Sequence, residues 1–120
     1  MTKEEYFESY RDALPEDIIN NGAEYYENLG FSYATGFIKP DNPDDDPMLL
    51  AYECFCIATA LGDARAPERL GAMYQYGDGV GINIKEALEY YKLSLSRGNV
   101  YAQELIDNLE KEGHSFGGRG

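Results

Sequence analysis

Apolar positions along the chain recur at three- and four-residue spacing, the period of a helix with one buried face. Tyr6, Phe7, Tyr10 and Leu14 open the pattern over residues 3–14, and Pro15 separates them from a short helical turn through Ile18 and Ile19. Ala66, Leu70, Met73 and Tyr74 form a later stripe, and Ile84, Ala87, Leu88, Tyr91 and Leu95 another. Ala102, Leu105, Ile106 and Leu109 make the last, on a helix whose other positions (Asp107, Asn108, Glu110, Lys111 and Glu112) are polar. Boundary residues agree with these stripes. Asp46 can cap a helix that has Pro47 at its first position, and Asn83 can cap another with Glu86 as its capping-box partner. Gly62 and Gly98 stand where a helix ends in a left-handed residue. The pattern predicts an all-α chain of six or seven helices.

Two segments repeat. Leu29, Gly30, Tyr33 and Gly36 match Leu70, Gly71, Tyr74 and Gly77 at an offset of 41, whereas Ala51, Phe55, Gly62 and Ala66 match Ala87, Tyr91, Gly98 and Ala102 at an offset of 36. The difference places five extra residues in the internal loop of the first unit, "FIKPDNPDDDP". Lengthening a surface loop costs little. Each unit is a pair of helices, so the fold class expected is a short right-handed α-solenoid of two helix-hairpin repeats, residues 23–62 and 63–98, with capping helices at both ends. The last cap covers 99–112. The whole forms one domain, 1–113, followed by a disordered tail, 114–120.

The stretch "YGDGVG", residues 76–81, has the alternate glycines of a phosphate-binding loop. Such a loop follows a strand and opens a helix. No strand pattern precedes this one, and no Gly-Lys-Ser/Thr follows it. A turn between paired helices is the better reading, with Val80 plugging the apolar space between them.

At these residues the chain resembles the Sel-one-like repeat family, a branch of the tetratricopeptide-like α-solenoids. Ala66, Leu70, Gly71, Tyr74, Gly77, Gly79, Val80, Lys85, Ala87, Tyr90, Tyr91, Gly98 and Ala102 stand where that unit has A-x3-L-G-x2-Y-x2-G-x-G-V, then K-A, an aromatic pair and G-x3-A. The first unit keeps Leu29, Gly30, Tyr33, Gly36, Ala51, Phe55, Gly62 and Ala66, has Tyr25 in place of the alanine, and loses the G-x-G-V turn to its acidic loop. The resemblance spans residues 23–112 and leaves 1–22 without a counterpart. It implies protein–protein interaction. Secreted bacterial members with a cysteine pair in each unit are a poor match for this chain.

Charge narrows the partner. The net charge is −12, and residues 1–46 carry 12 acids against 3 bases. Such a field repels nucleic acid and attracts a basic protein, although it also serves plain solubility. No apolar run is long enough for a membrane span, and the charged start "MTKEEYFESY" lacks the apolar core of a signal peptide, so a cytoplasmic location is expected. Cys54 and Cys56, at i and i+2, read as buried structural thiols. "DNPDDD" (41–46) lacks the glycine and glutamate of a calcium loop and reads as a solvated acidic loop. No metal or cofactor is expected. The single histidine, His114, lies in the glycine-rich tail, so catalytic triads have no basis and the chain is not read as an enzyme.

With Leu29, Tyr33, Leu70 and Tyr74 facing the core, the opposite side of the first helix in each pair carries the partner-binding candidates. By analogy with tetratricopeptide arrays this is the concave side. That side carries Glu24, Glu27, Asn28, Phe31 and Thr35 in one unit and Arg65, Glu68, Arg69, Ala72 and Tyr76 in the other, with Tyr101, Glu104 and Asn108 continuing the row; all but Ala72 and Asn108 are taken as contact candidates. Phe31 is the first anchor candidate and Tyr76 the second. A competing reading packs Phe31 on the N-terminal helix through Tyr6 or Tyr10. Tyr90 and Tyr101 are also expected to be partly exposed. The functions in view are a module for one protein partner, possible forms of which include an immunity-type antagonist of a bacterial toxin; an adaptor or regulator in a larger signalling or secretion assembly; and, more remotely, an enzyme or small-ligand binder.

Overall fold

A computed structural model describes residues 1–117, with side chains through Glu112. Seven helices make up its regular structure: α1 (Lys3–Asp12), α2 (Glu16–Asn21), α3 (Ala23–Ala34), α4 (Pro47–Ala60), α5 (Ala66–Tyr76), α6 (Ile84–Ser96) and α7 (Tyr101–Gly117). Each helix from α3 to α7 packs on the next, so α3–α4 and α5–α6 are two hairpins stacked in a solenoid closed by α7. The final helix runs through Gly113, past its expected end at 112, because one glycine inside a helix costs only about 1 kcal/mol. The expected disordered tail therefore begins within α7, and residues 118–120 lie outside the described residues.

Local chemistry sets the boundaries. Asp46 accepts the Met48 N–H at 2.9 Å with Pro47 at the first helical position. Asn83 accepts the Glu86 N–H at 3.1 Å. The capping box expected there is only half formed: the Asn83 N–H donates to the Tyr74 carbonyl, and the Glu86 carboxylate turns to Lys3. A complete box opens α1 instead, between Thr2 and Glu5. Helices α4 and α6 end alike. Gly62 and Gly98 have φ of 99° and 101°, which lets the Asp63 N–H reach the Ala58 carbonyl and the Asn99 N–H reach the Ser94 carbonyl.

The repeated Leu-Gly step explains how the hairpins close. A Cβ on Gly30 would stand 2.7 Å from the Phe55 ring, and one on Gly71 would stand 2.6 Å from the Tyr91 ring. In each hairpin a buried aromatic of the second helix packs closely against the glycine of the first. The "YGDGVG" segment is a turn between α5 and α6, with left-handed Gly77 ending α5 and Val80 packed on the core.

The N-terminal segment divides. Short α2 packs on α3 at the end of the array, while α1 lies across α4 and α6 and so spans both repeats. Fully buried Phe7 anchors α1, meeting Tyr90 edge-on at 6.1 Å between ring centroids. Lys3 reaches Glu86 at 2.7 Å and sits 4.6 Å above the Tyr90 ring, and Glu4 pairs with Arg97 at 2.7 Å. Arg97 also donates to the Thr59 and Asp63 carbonyls, tying α6 to the end of α4. This cover corrects one expectation. Tyr90 is 3% exposed rather than partly open, because α1 closes over it and Tyr74 stacks on its ring at 5.6 Å.

Candidate functional site: the face of α3 and α5

With α1 lying on α4 and α6, the uncovered side of the array is the one formed by α3 and α5. Along it the structure opens a cleft of about 220 Å³ between the two helices. Its walls are Phe31, Ala34 and Thr35 from the end of α3, and Glu68, Arg69, Ala72 and Met73 from α5. Met48 and Phe55 of α4 form the floor, and Asp78 stands at one rim. The lining is mostly apolar, which is the usual chemistry of a protein-contact pocket.

Arg69 organises this face. Its Nη2 donates to Glu27 Oε1 at 3.1 Å, and its guanidinium carbon lies 4.5 Å from the centre of the Phe31 ring. Glu27 and Arg69 are 42 residues apart in sequence, so the pair joins one repeat to the other. Glu27 is 7% exposed and therefore is not the free surface carboxylate expected from its place on the outer side of α3. A buried carboxylate needs a charged partner, and Arg69 consumes its charge internally. The two residues hold Phe31 in place from beneath the surface instead of presenting charge to a partner.

Phe31 itself is 45% exposed, with one ring face covered by Arg69. Tyr6 and Tyr10, the alternative neighbours, pack around Phe7. Tyr76 is 65% exposed at the end of α5. Thr35 and Glu68 join Phe31 in the cleft. The Thr35 hydroxyl donates to the Phe31 carbonyl at 2.8 Å, and the Glu68 carboxylate accepts from Asn99 at 2.8 Å. Glu24, Asn28 and Glu104 are exposed but stand outside the cleft lining. Arg65 and Tyr101 belong to a different hollow, formed with Arg97, Gly98 and Val100 where the inter-repeat loops meet. The predicted row is thus divided among the cleft, this hollow and open surface outside both.

Ala72, expected on this side of α5, lines the cleft, whereas Met48 and Asp78 belong to it and escaped the sequence reading. Met48 sits in the first turn of α4, where its backbone and Cβ approach Gly79 to 3.0–3.3 Å of a notional Cβ; alternate glycines in the second repeat's turn were the available signal. Among the described residues no group of three or more His, Cys, Asp or Glu side chains is arranged to hold a metal ion, and no helix is long and apolar enough to cross a membrane.

The stacked hairpins, with their Leu-Gly steps and glycine-ended second helices, agree with a comparison against known families. The family model described as the Sel1 repeat matches residues 23–63 and 65–99. The chain belongs to the Sel1 repeat family. Sel1 repeats generally mediate protein–protein interaction and act as scaffolds rather than catalysts. The two matched segments coincide with α3–α4 and α5–α6, so α1 lies outside the Sel1 repeats and braces both.

Proposed function

We propose that the chain is a binding module for one protein partner, which it engages through the α3/α5 face. The observation that carries this reading is Phe31: an exposed ring, fixed against Arg69 at the lip of an apolar cleft, that the core does not use. A preordered aromatic loses little entropy on binding and is a favoured anchor. Tyr76 lies further along the same helix as Arg69 and extends the contact surface.

The partner's contact surface is basic. Glu68 and Asp78 line the cleft, Glu24 and Glu104 are exposed near the same row, and the cleft's own cation, Arg69, is engaged by Glu27. Small size, an acidic field and a single preordered face suit an antagonist that blocks a basic protein, the form an immunity protein against a toxin takes. This reading is tested with the partner purified on the immobilised chain and then titrated calorimetrically. Phe31→Ala and Tyr76→Ala should each weaken binding about tenfold or more, with melting temperature unchanged, and raised salt should slow association. Unchanged affinity for both variants would place the partner on another surface.

A further inference from the structure

The loop between α3 and α4 builds a second hollow that the repeats do not require. Residues 35–46 link these helices, whereas residues 77–83 make the equivalent connection in the second hairpin with five fewer residues. The longer loop folds into a mostly apolar cavity of about 410 Å³, walled by Ile38, Pro40, Pro43 and Pro47, with Lys39 and Asp45 at its edge. Phe37, between the lining residues Gly36 and Ile38 in sequence, is 86% exposed.

The cavity is held open by its own chemistry. Three prolines fix backbone angles around it. Asn42 accepts the Asp44 N–H on its side chain and the Asp45 N–H on its carbonyl, both at 3.0 Å, and the Ile38 N–H donates to the Ser32 carbonyl at 3.2 Å. A site ordered before binding does not spend affinity on folding. The same loop carries exposed Asp41, Asp44 and Asp45 against one lysine, Lys39, while Asp46 is engaged in capping α4. Apolar walls with acidic surroundings complement an apolar side chain set among cations.

We propose that this loop is a second docking site, which takes one aliphatic or aromatic side chain of a protein segment flanked by lysine or arginine. It shares no lining residue with the α3/α5 cleft and does not depend on that reading.

The test uses the full chain and three synthetic peptides: Lys-Lys-Leu-Lys-Lys, Lys-Lys-Ser-Lys-Lys and Glu-Glu-Leu-Glu-Glu. Binding is followed by backbone amide chemical shifts and by fluorescence anisotropy. The lysine-flanked leucine peptide should shift the amides of Gly36, Ile38, Lys39 and Asp45, and bind roughly tenfold more tightly than its serine counterpart, the factor that one buried aliphatic side chain supplies. The glutamate-flanked peptide should not bind. Ile38→Asp, or Ile38→Ser if the first variant fails to fold, should abolish the leucine preference. Asp41→Asn, Asp44→Asn and Asp45→Asn combined should weaken binding severalfold. Equal affinity for leucine and serine, or shifts confined to α3 and α5, would overturn the proposal and leave the α3/α5 reading standing. Concentration-dependent dimerisation that shifts the loop amides without peptide would also overturn it, the occupant then being a second copy of the chain.

Discussion

Replacing Gly71 by alanine probes how the second hairpin closes. In α5 the change has a favourable component, since alanine exceeds glycine in helix propensity by about 1 kcal/mol. Packing opposes it. The new methyl would lie 2.6 and 2.7 Å from two carbons of the Tyr91 ring and 3.1 Å from the Ala87 carbonyl oxygen. Tyr91 is fully buried, and its hydroxyl donates to Gln75 at 2.6 Å, so the ring cannot swing aside without losing that bond. Overpacking of this kind costs about 1–3 kcal/mol, and the hydrogen bond contributes roughly 1 kcal/mol more. The net expected loss is about 2 kcal/mol. Gly30→Ala is the internal comparison. The three atoms nearest its methyl would all belong to the Phe55 ring, at 2.7–3.1 Å, and that ring borders the open α3/α5 cleft into which it can yield. The expected loss there is about 1 kcal/mol or less. Urea unfolding of both variants, with midpoints compared at equal slope, decides the matter. A Gly71→Ala chain as stable as the parent, or a Gly30→Ala chain less stable than Gly71→Ala, would refute the argument.

Three further outcomes are expected. Phe7→Ala removes the buried anchor of α1 and should cost about 3–5 kcal/mol, with faster amide exchange in α1; a change under about 1 kcal/mol would show that α1 does not brace the repeats. Burial alone would raise the Glu86 carboxyl, but the hydrogen bond and charge of Lys3 outweigh it and hold the group below its ordinary 4.5. A carboxyl lowered in the folded state contributes stability above its unfolded pKa and loses it as pH falls through the folded one. The melting-temperature advantage of the parent over Lys3→Met should therefore narrow as pH drops through and below 4.5, and a gap that is constant or widening would contradict the pairing. Burial pushes the Cys54 thiol up to about 11 and the Cys56 thiol up to about 12, so at pH 8 a disulfide reagent should label the native chain about a hundredfold or more slower than the unfolded one; fast native labelling would contradict that burial.

The hairpins were legible in the sequence because their determinants are local. Asp46-Pro47, Gly62 and Gly98 mark helix ends by their own backbone preferences, and the 41- and 36-residue offsets locate the extra loop before any contact is known. The Thr2-x-x-Glu5 capping box that opens α1 is equally local but went unread in the sequence. What α1 does was not legible. Its contacts join Lys3 to Glu86 and Glu4 to Arg97, at separations of 83 and 93 residues, and no repeat pattern specifies them. The exposure expected for Tyr90 failed for the same reason. On the candidate face, position predicted that Phe31 and Tyr76 would be open, and they are. Position could not show that Glu27 would be buried by Arg69, since charge pairing across repeats depends on side-chain reach rather than spacing.

The central claim is that a protein partner occupies the α3/α5 face. Amide hydrogen exchange of the full chain, free and saturated with its copurified partner, tests this most directly. The account predicts new protection in the segment around Phe31 and Thr35 and along α5 from Glu68 to Tyr76, with α1 unchanged. Protection confined to α1 and the outer surfaces of α4 and α6, with α3 and α5 exchanging as in the free chain, would contradict it.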